Sequence, residues 1–224
     1  DVEQAIKRLS VLKHVATELN YMTHFACSDE VDNSFTQQQI QRFNHKVAGR
    51  GGELTLANSA GILCWPQSHA DWIRPGILLY GCSPITGRVG KDDGFVAAMT
   101  LSSSVIAIKS ITKGDTVGYG AAWTAPHDST LAVVAIGYGD GYPRHAKDGT
   151  PVLINGVRYP IVGRVSMDMI TVDLGDDSAR VKCGDKAILW GTDLAVEEVA
   201  RFADTICYEL ILQLTSRVRI TFID

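Results

Sequence analysis

Long apolar runs and an excess of basic residues are both missing from this chain of 224 residues. No run comes near the roughly 20 apolar residues that a membrane-spanning helix needs, and the chain does not open with the basic and apolar segments of a signal peptide. The 21 Lys and Arg residues are outnumbered by 25 Asp and Glu, for a formal net charge of −4. Since nucleic-acid-binding surfaces need clustered basic residues, we expect neither a nucleic acid nor a membrane as partner.

Cysteine is scarce and follows no metal-binding pattern. The five cysteines are an odd number and no two of them form a C-x-x-C pair, so the sequence predicts no zinc or other metal site. We expect free thiols in a protein of the reducing cytoplasm. The cysteines are Cys27, Cys64, Cys82, Cys183 and Cys207.

The chain does not begin with methionine. Its first residue is Asp1, and the apolar residues that follow recur at helical spacing, so the chain opens inside an amphipathic stretch. We therefore expect it to be part of a longer protein. Hydrophobic residues make up 46% of the chain and charged residues 21%, as in an ordinary folded domain.

Helices and strands alternate up to about residue 95. This alternation with short connections predicts parallel βα units. Ser34 is placed to cap the second helix. The predicted strands are 19–25, 54–57 and 77–80, and the predicted helices are one at the start, one at 36–48 and a short one from about residue 59.

From residue 96 onward almost every predicted element is a strand. The Asn155-Gly156 step between two apolar runs indicates a hairpin with a two-residue turn. The predicted fold class is therefore α/β plus all-β, with an α/β part at 1–95 and a mostly antiparallel β-barrel or sandwich at 96–224. The predicted strands are 96–111, 117–123, 131–136, 151–154, 158–162, 169–174 and 187–190, and one helix is predicted at 196–202.

Tyr119 lies between two glycines, Gly118 and Gly120. Glycine neighbours give a tyrosine little cover, so its hydroxyl could project into a cavity and act on a ligand, provided that a nearby group lowers its pKa. A tight turn that exposes an aromatic ring is the commoner explanation of this spacing.

Two further segments are compatible with anion binding. Arg74 could supply a charged donor, and the backbone beside Gly76 could approach a phosphate closely; a Pro-Gly turn with a solvated arginine explains the same residues. Ser59 stands at the start of a short helix. A serine there is usually a cap, although the same geometry can bind an anion, and both can hold together.

The remaining candidates are weak when taken singly. His24 ends a predicted strand, where a histidine is more often a core residue than a catalytic one. The glycine- and tyrosine-rich loop 135–144 could be a plain connection or the rim of a site. The segment 163–169 has the pattern of a strand edge that presents backbone N–H groups.

Taken together and in order, these segments resemble the alanine racemase family over essentially the whole chain. The matching motifs are THFACSDE, ANSAG, RPGILLYG, VGYGAAW, GYGDGYPR, GRVSMDM and CYEL. The resemblance implies a (β/α)₈ barrel followed by a β domain, a head-to-tail homodimer and pyridoxal 5'-phosphate as cofactor. Since such a barrel takes about 250 residues, only its C-terminal portion precedes residue 96. No lysine here matches the family's cofactor-lysine motif.

The resemblance also implies roles for individual residues. Tyr119 would be one of two catalytic bases and would reach into the partner subunit's site, with His24 tuning it and Arg74 facing the pyridine nitrogen of the cofactor. Ser59, Gly76, Ile77 and Tyr208 would hold the phosphate, and Met167 would bind the substrate carboxylate together with Tyr119. The residues expected to shape the entrance are Tyr138, Arg144, Arg164 and Asp29. One departure is Thr55, where many members have a histidine.

We therefore expect an amino-acid racemase, an isomerase that interconverts L- and D-alanine by two-base proton transfer, for peptidoglycan precursors or for alanine catabolism. The alternatives are a related racemase acting on serine or lysine, or a non-catalytic dimerising fragment; decarboxylases on a related barrel fit the motifs less well. Without the lysine segment, we expect the chain alone to be inactive.

Overall fold

The computed structural model describes residues 2–176 and 178–223. By its internal contacts the chain divides into two compact units. The first unit comprises the residues up to Leu78 together with Pro84–Gly87, and the second comprises Leu79–Ser83 and the residues from Arg88 onward. The expected domain boundary at residue 95 stays a prediction. Within the described residues no helix is long and apolar enough to cross a membrane.

The first unit is built from short strands and helices in alternation. Its elements are α1 (Val2–Leu9), β1 (Tyr21–Met22), α2 (Phe35–Val47), β2 (Leu54–Thr55) and α3 (Ser59–Cys64). The two strands are parallel, with Tyr21 opposite Leu54, because the α2 crossover returns the chain to the same edge before β2 begins. An isolated parallel bridge joins Thr55 to Trp72. Three parallel segments therefore lie side by side, as the βα pattern predicted.

Two local predictions for the first unit are wrong. Residues Ile77–Tyr80 form a turn of 3₁₀ helix instead of a strand, and the third parallel position belongs to Trp72. A run of four apolar residues cannot by itself distinguish a strand from a helical turn. Ser34 makes no capping hydrogen bond; the Asn33 Oδ1 accepts from the Phe35 N–H instead, at 3.0 Å.

The core of the first unit joins its strands to α2. Phe25, Ile40 and Leu56 are buried in one cluster. These side chains come from the segments after β1 and β2 and from the inner face of α2. Phe43, Leu54 and Trp65 pack against the cluster. Burial of each large apolar side chain contributes roughly 1.5–3 kcal/mol, so this cluster fixes the strand ends that carry the polar groups described below.

The second unit is dominated by one six-stranded antiparallel sheet. Its strands are β3 (Leu101–Ile111), β6 (Ser129–Val134), β7 (Pro151–Ile154), β8 (Val157–Pro160), β9 (Ile170–Gly175) and β10 (Lys186–Trp190). They pair in the order β8-β7-β10-β3-β6-β9. Beyond the end of β8, Ile161 bridges Val172 of β9. The two outer strands thus meet and the sheet curls into a nearly closed barrel, which removes most of its exposed edge.

Side chains along these strands alternate between the interior and the surface. In β9, for example, Ile170, Val172 and Leu174 are buried while the residues between them are only partly so. At the centre the rings of Tyr142 and Trp190 stack, with centroids 6.1 Å apart. This period of two is the one expected for a sheet with one face in a hydrophobic core.

The short-range predictions for the second unit hold best. Asn155 and Gly156 both have positive φ, 50° and 80°, and join β7 to β8 in the predicted hairpin. Helix α4 (Val196–Phe202) has the predicted bounds, and α5 (Cys207–Leu212) follows it. The prediction of a single strand at 117–123 is wrong. This segment forms a small hairpin of β4 (Thr116–Val117) and β5 (Trp123–Thr124), because the glycines in its middle turn the chain.

The close approach of the backbone at Gly141 provides a test of this packing. A Cβ at Gly141 (φ 97°) would lie 2.3 Å from the Gln213 O, whereas a Cβ at Gly184 (φ 93°) would have nothing within 4 Å. We expect Gly184→Ala to lower the free energy of unfolding by about 1–2 kcal/mol, from the left-handed backbone alone. Gly141→Ala should lower it by about 1–3 kcal/mol more, from overpacking. Urea unfolding measures both values, and equal losses would contradict the packing described.

Candidate active site

The polar side chains of the first unit gather where its parallel segments end. His24 follows β1, Ser59 follows β2, and Arg74 follows the bridge residue Trp72. Parallel strands place their carboxyl ends at one edge, which is where barrels of this kind carry their sites. The candidates of the first unit are therefore brought to one edge by the topology itself.

Arg74 is the most firmly held of these residues. Its Nη1 donates to the Thr55 Oγ1 at 2.6 Å, and its Nη2 donates to the backbone oxygens of Thr23 at 2.8 Å and Leu56 at 3.2 Å. The Arg74 backbone N–H also donates to the Ala57 O, at 2.9 Å. All of these acceptors are uncharged, so they fix the half-buried guanidinium without neutralising its charge.

Ser59 and Gly76 contact each other directly. The Gly76 N–H donates to the Ser59 Oγ at 2.8 Å, across 17 positions of sequence. Asn58, and not Ser59, caps α3: its Oδ1 accepts from the Gly61 N–H at 2.9 Å. The Ser59 hydroxyl is therefore not used as a cap.

Unpaired backbone donors surround this contact. Ser59 and Ile77 are each 2% exposed and Ala60 3%, yet within residues 2–176 and 178–223 their backbone N–H groups have no hydrogen-bond partner. Buried N–H groups without partners are unfavourable unless a ligand or water satisfies them. An anionic group with several oxygens, such as a phosphate, fits this set of donors.

The other candidates of the first unit are more open. The His24 side chain is exposed, and its backbone oxygen accepts from the Gln39 Nε2 at 3.4 Å. The Asp29 Oδ2 accepts from the Thr86 Oγ1 at 3.1 Å. Both side chains follow the end of β1 and keep unused hydrogen-bonding capacity.

In the second unit, Tyr119 stands at the tip of the β4–β5 hairpin. Its side chain is 68% exposed, and Gly118, Gly120 and Ala121 around it all have positive φ. A Cβ on Gly118 would lie 2.8 Å from the Arg164 N, so the hairpin rests on the segment 163–164 with no room for a side chain. The segment therefore forms a tight turn, and the tyrosine ring at its tip also projects from the surface.

Tyr142 provides a contrast to Tyr119. It is 1% exposed and stacks on Trp190. Burial raises the pKa of the Tyr142 phenol well above its usual range, because the charged form loses its hydration. Tyr142 is a core residue, whereas Tyr119 is free to meet a ligand.

Met167 belongs to a turn that is fastened to the loop of Tyr138. The Ser166 N–H donates to the Met169 O at 3.0 Å, and the Gly139 N–H donates to the Met167 O at 2.8 Å. In the described part of the chain, the Met167 N–H itself has no partner. It is therefore available to donate a hydrogen bond to a carboxylate oxygen of a ligand.

Sequence reasoning missed Arg217, which braces both of these loops. Its Nη2 pairs with the Asp168 Oδ1 at 2.7 Å and its Nε with the Asp140 Oδ1 at 3.2 Å. The neighbouring Thr215 Oγ1 donates to the Gly139 O at 2.9 Å. The partners lie 49 to 77 positions away, and no local pattern indicates such a contact.

Basic residues line a surface concavity of about 630 Å³ in the second unit. Arg144 and Arg164, both predicted to lie at the entrance, are on its wall with His145, Lys147 and the acidic Asp148. The Arg144 guanidinium carbon lies 6.0 Å from the ring centroid of Tyr138. The predicted entrance residues of the second unit are thus neighbours, and their charge favours anionic ligands.

Tyr208 is the second residue of α5 and is 38% exposed. The predicted phosphate ligands therefore belong to both units: Ser59, Gly76 and Ile77 to the first and Tyr208 to the second. In the part of the chain that the structure describes, none of the five cysteines forms a disulfide. Among the described residues, no group of three or more His, Cys, Asp and Glu side chains could hold a metal.

Family models match both parts of the chain. Residues 1–84 match the model "Alanine racemase, N-terminal domain", and residues 98–222 match "Alanine racemase, C-terminal domain". The chain is 56% identical over 220 residues to the alanine racemase of Shewanella amazonensis, covering 98% of this chain and 60% of that protein. It is 52% identical over 223 residues to that of Aliivibrio salmonicida, covering 100% and 62%. The chain thus spans about 60% of the length of these relatives.

Solved structures are also similar. The biosynthetic alanine racemase from Pseudomonas aeruginosa superposes with a TM-score of 0.92 at 42% identity, covering 97% of this chain and 60% of that one. The alanine racemase from Bartonella henselae with covalently bound pyridoxal phosphate gives 0.87 at 29% identity, covering 99% and 61%. The predicted fold class, the C-terminal portion of a (β/α)₈ barrel followed by a β domain, is confirmed by this likeness.

Thr55 allows the support of Arg74 to be tested. Thr55→Val keeps the shape but removes the oxygen that accepts from the guanidinium. We expect it to lower the free energy of unfolding by about 1.5–3 kcal/mol, as for other hydrogen bonds to charged groups. Thr55→Ser, which keeps the hydroxyl and loses one methyl, should lose only about 0.8 kcal/mol. If denaturant unfolding shows Thr55→Val to be as stable as the wild type, Thr55 does not hold Arg74.

Proposed function

The chain belongs to the alanine racemase family, and on this premise we propose that its protein interconverts L- and D-alanine with pyridoxal 5'-phosphate. The observation that carries the proposal is the group of donors at the strand ends of the first unit. There the Ser59–Gly76 contact and the unpaired N–H of Ile77 occur in the same unit as a guanidinium oriented by neutral acceptors.

These residues fit the phosphate and the ring of the proposed cofactor. Ser59, Gly76 and Ile77 would hold the phosphate, and the family resemblance adds Tyr208 to these residues. Arg74 would face the pyridine nitrogen. When bound, pyridoxal phosphate withdraws electrons from the α-carbon of an amino acid and makes its proton acidic. A guanidinium remains charged at all ordinary pH, so it donates a hydrogen bond and does not give up a proton.

Racemisation requires a base on each face of the α-carbon. We propose Tyr119 for one face, acting in the partner subunit's site of a homodimer. To act as a base at neutral pH, a phenol with a reference pKa near 10 needs a neighbour that accepts its proton or stabilises the phenolate, and His24 would serve in that role. The second base would be the lysine of the family's motif, which no lysine of this chain matches.

The substrate carboxylate would be bound by the free N–H of Met167, in the turn that Arg217 braces. Tyr138, Arg144, Arg164 and Asp29 would shape the entrance. The cationic wall formed by the two arginines suits an amino acid that arrives carboxylate first. Substrate profiling separates alanine from the alternatives: serine or lysine turning over faster would assign a different racemase of this family.

We place the protein in the cytoplasm, either supplying D-alanine for peptidoglycan or degrading alanine. Cysteines that form no disulfide among the described residues are in keeping with a reducing compartment.

Tyr119 provides the sharpest test of the mechanism. In the full-length protein, Tyr119→Phe removes only the hydroxyl oxygen and should lower kcat for alanine racemisation by at least about 100-fold, the lower limit for a lost acid–base group. Tyr142→Phe, a change in the barrel core, is the matched control and should leave kcat within a few-fold. A chiral assay of alanine measures both. Near-normal rates for Tyr119→Phe would remove Tyr119 from the mechanism.

The 224-residue chain alone should not racemise alanine, because it carries no lysine in the family's motif. Adding the lysine-bearing N-terminal segment in trans should restore turnover if the two parts assemble. The same chiral assay, with pyridoxal phosphate present throughout, compares the two mixtures. Turnover by the purified chain alone would show that another base replaces the lysine. A chain that associates with itself yet never supports turnover would favour the alternative of a non-catalytic dimerising fragment.

A further inference from the structure

Asn58 fastens the start of α3 to the rest of the first unit. Its backbone is extended (φ −82°, ψ −171°). Its Oδ1 accepts two hydrogen bonds, from the Gly61 N–H at 2.9 Å and from the Ser28 Oγ at 3.0 Å. Since the backbone N–H of Gly61 can only donate, the amide oxygen of Asn58 must face the helix. One side chain thus caps α3 and ties it to the segment that follows β1.

Ser28 is itself fixed by the core. It is 2% exposed, and its backbone oxygen accepts from the Trp65 Nε1 at 3.0 Å. The Trp65 ring packs against the cluster of Phe25, Ile40 and Leu56. A continuous series of contacts therefore leads from the hydrophobic core through Trp65 and Ser28 to Asn58.

The turn that Asn58 caps has little room to adjust. A Cβ on Gly61 would lie 3.2 Å from both the Asn58 Oδ1 and the Phe25 Cε2. Ser59 follows Asn58 directly, is 2% exposed, and accepts from the Gly76 N–H at 2.8 Å. A shift of Asn58 would therefore also displace the Ser59 Oγ, since Ser59 is the next residue and is held in the same crowded turn.

We infer that Asn58, held by Ser28, is a positioning residue that sets the place of the Ser59 hydroxyl against Gly76, and so the geometry of the phosphate site. That the ligand is a phosphate rests on the proposed function. That Asn58 positions the Ser59–Gly76 contact rests on the structure alone. A residue that only capped α3 would protect the Gly61 N–H and leave the Gly76 N–H unaffected. These two amides therefore distinguish positioning from local capping.

Amide hydrogen exchange, followed by NMR on the whole 224-residue chain without ligand, tests the inference. In Asn58→Ala we expect exchange to accelerate at both Gly61 and Gly76, by about 2- to 30-fold, the range that corresponds to a lost helix cap. Asn58→Asp keeps the accepting oxygen and should restore protection at both amides. Ser34→Ala is the matched control, since Ser34 begins α2 without a capping hydrogen bond, and it should change neither amide.

Acceleration at Gly61 with an unchanged rate at Gly76 would overturn the inference. Should Asn58→Ala fail to fold, Ser28→Ala removes only the second donor and should accelerate both amides to a smaller extent; an unchanged Gly76 there would overturn the inference equally.

A parallel titration with pyridoxal 5'-phosphate tests whether the ligand is a phosphate, independently of whether Asn58 positions Gly76. Asn58→Asp should bind it more weakly than the wild type, since a carboxylate beside Ser59 repels the phosphate. Equal affinity would overturn the link to a phosphate. No binding by the wild type would contradict the proposed phosphate site in this chain, while the Gly76 rates would still decide the positioning role.

Discussion

The Arg74 guanidinium and its three uncharged acceptors hold the first unit's site together. The acceptors are the Thr23 O, the Thr55 Oγ1 and the Leu56 O, which belong to two neighbouring parallel segments. A carboxylate in any of these places would bind the guanidinium more strongly but would cancel its charge. Neutral oxygens orient the group and leave the charge available for a ligand. Because Arg74 is two residues from Gly76, its position also helps to place the donor that contacts Ser59.

In the second unit, the close packing of backbone segments holds the candidate site residues in place. The nearly closed sheet supplies a rigid frame, while the groups with chemistry lie on loops: Tyr119 on the β4–β5 hairpin and Met167 in the turn before β9. The Met167 turn and the loop that carries Tyr138 contact each other at positions that have no side chain. A Cβ on Gly137 would lie 2.2 Å from the Ser166 O, and Arg217 adds ion pairs across the same contact. Loops that rest on each other at glycines can be precise without being part of the sheet.

What could be predicted from the sequence depended on the range of the interaction. The Asn155-Gly156 turn and the bounds of the helix Val196–Phe202 were predicted correctly because their signals are local, although the strand after the turn, predicted at 158–162, is Val157–Pro160. The strand expected at 77–80 was wrong, since a four-residue apolar run suits a 3₁₀ turn equally well. Among the site residues, the Ser59–Gly76 and Arg217–Asp168 contacts span 17 and 49 positions. Only the fold brings such pairs together. The residues themselves left anion binding at Ser59 and Gly76 as one of two explanations, and the family resemblance favoured it.

We propose above that the first unit of this chain holds the phosphate and the ring of pyridoxal phosphate. This proposal is tested most directly by comparing the affinities of the 224-residue chain for pyridoxal 5'-phosphate and for pyridoxal, which lacks the phosphate and controls for reaction with surface lysines. The account predicts at least about tenfold tighter binding of the phosphate form, about 1.4 kcal/mol, and loss of that preference in Ser59→Ala. Equal affinities, or a preference that survives in Ser59→Ala, would contradict it.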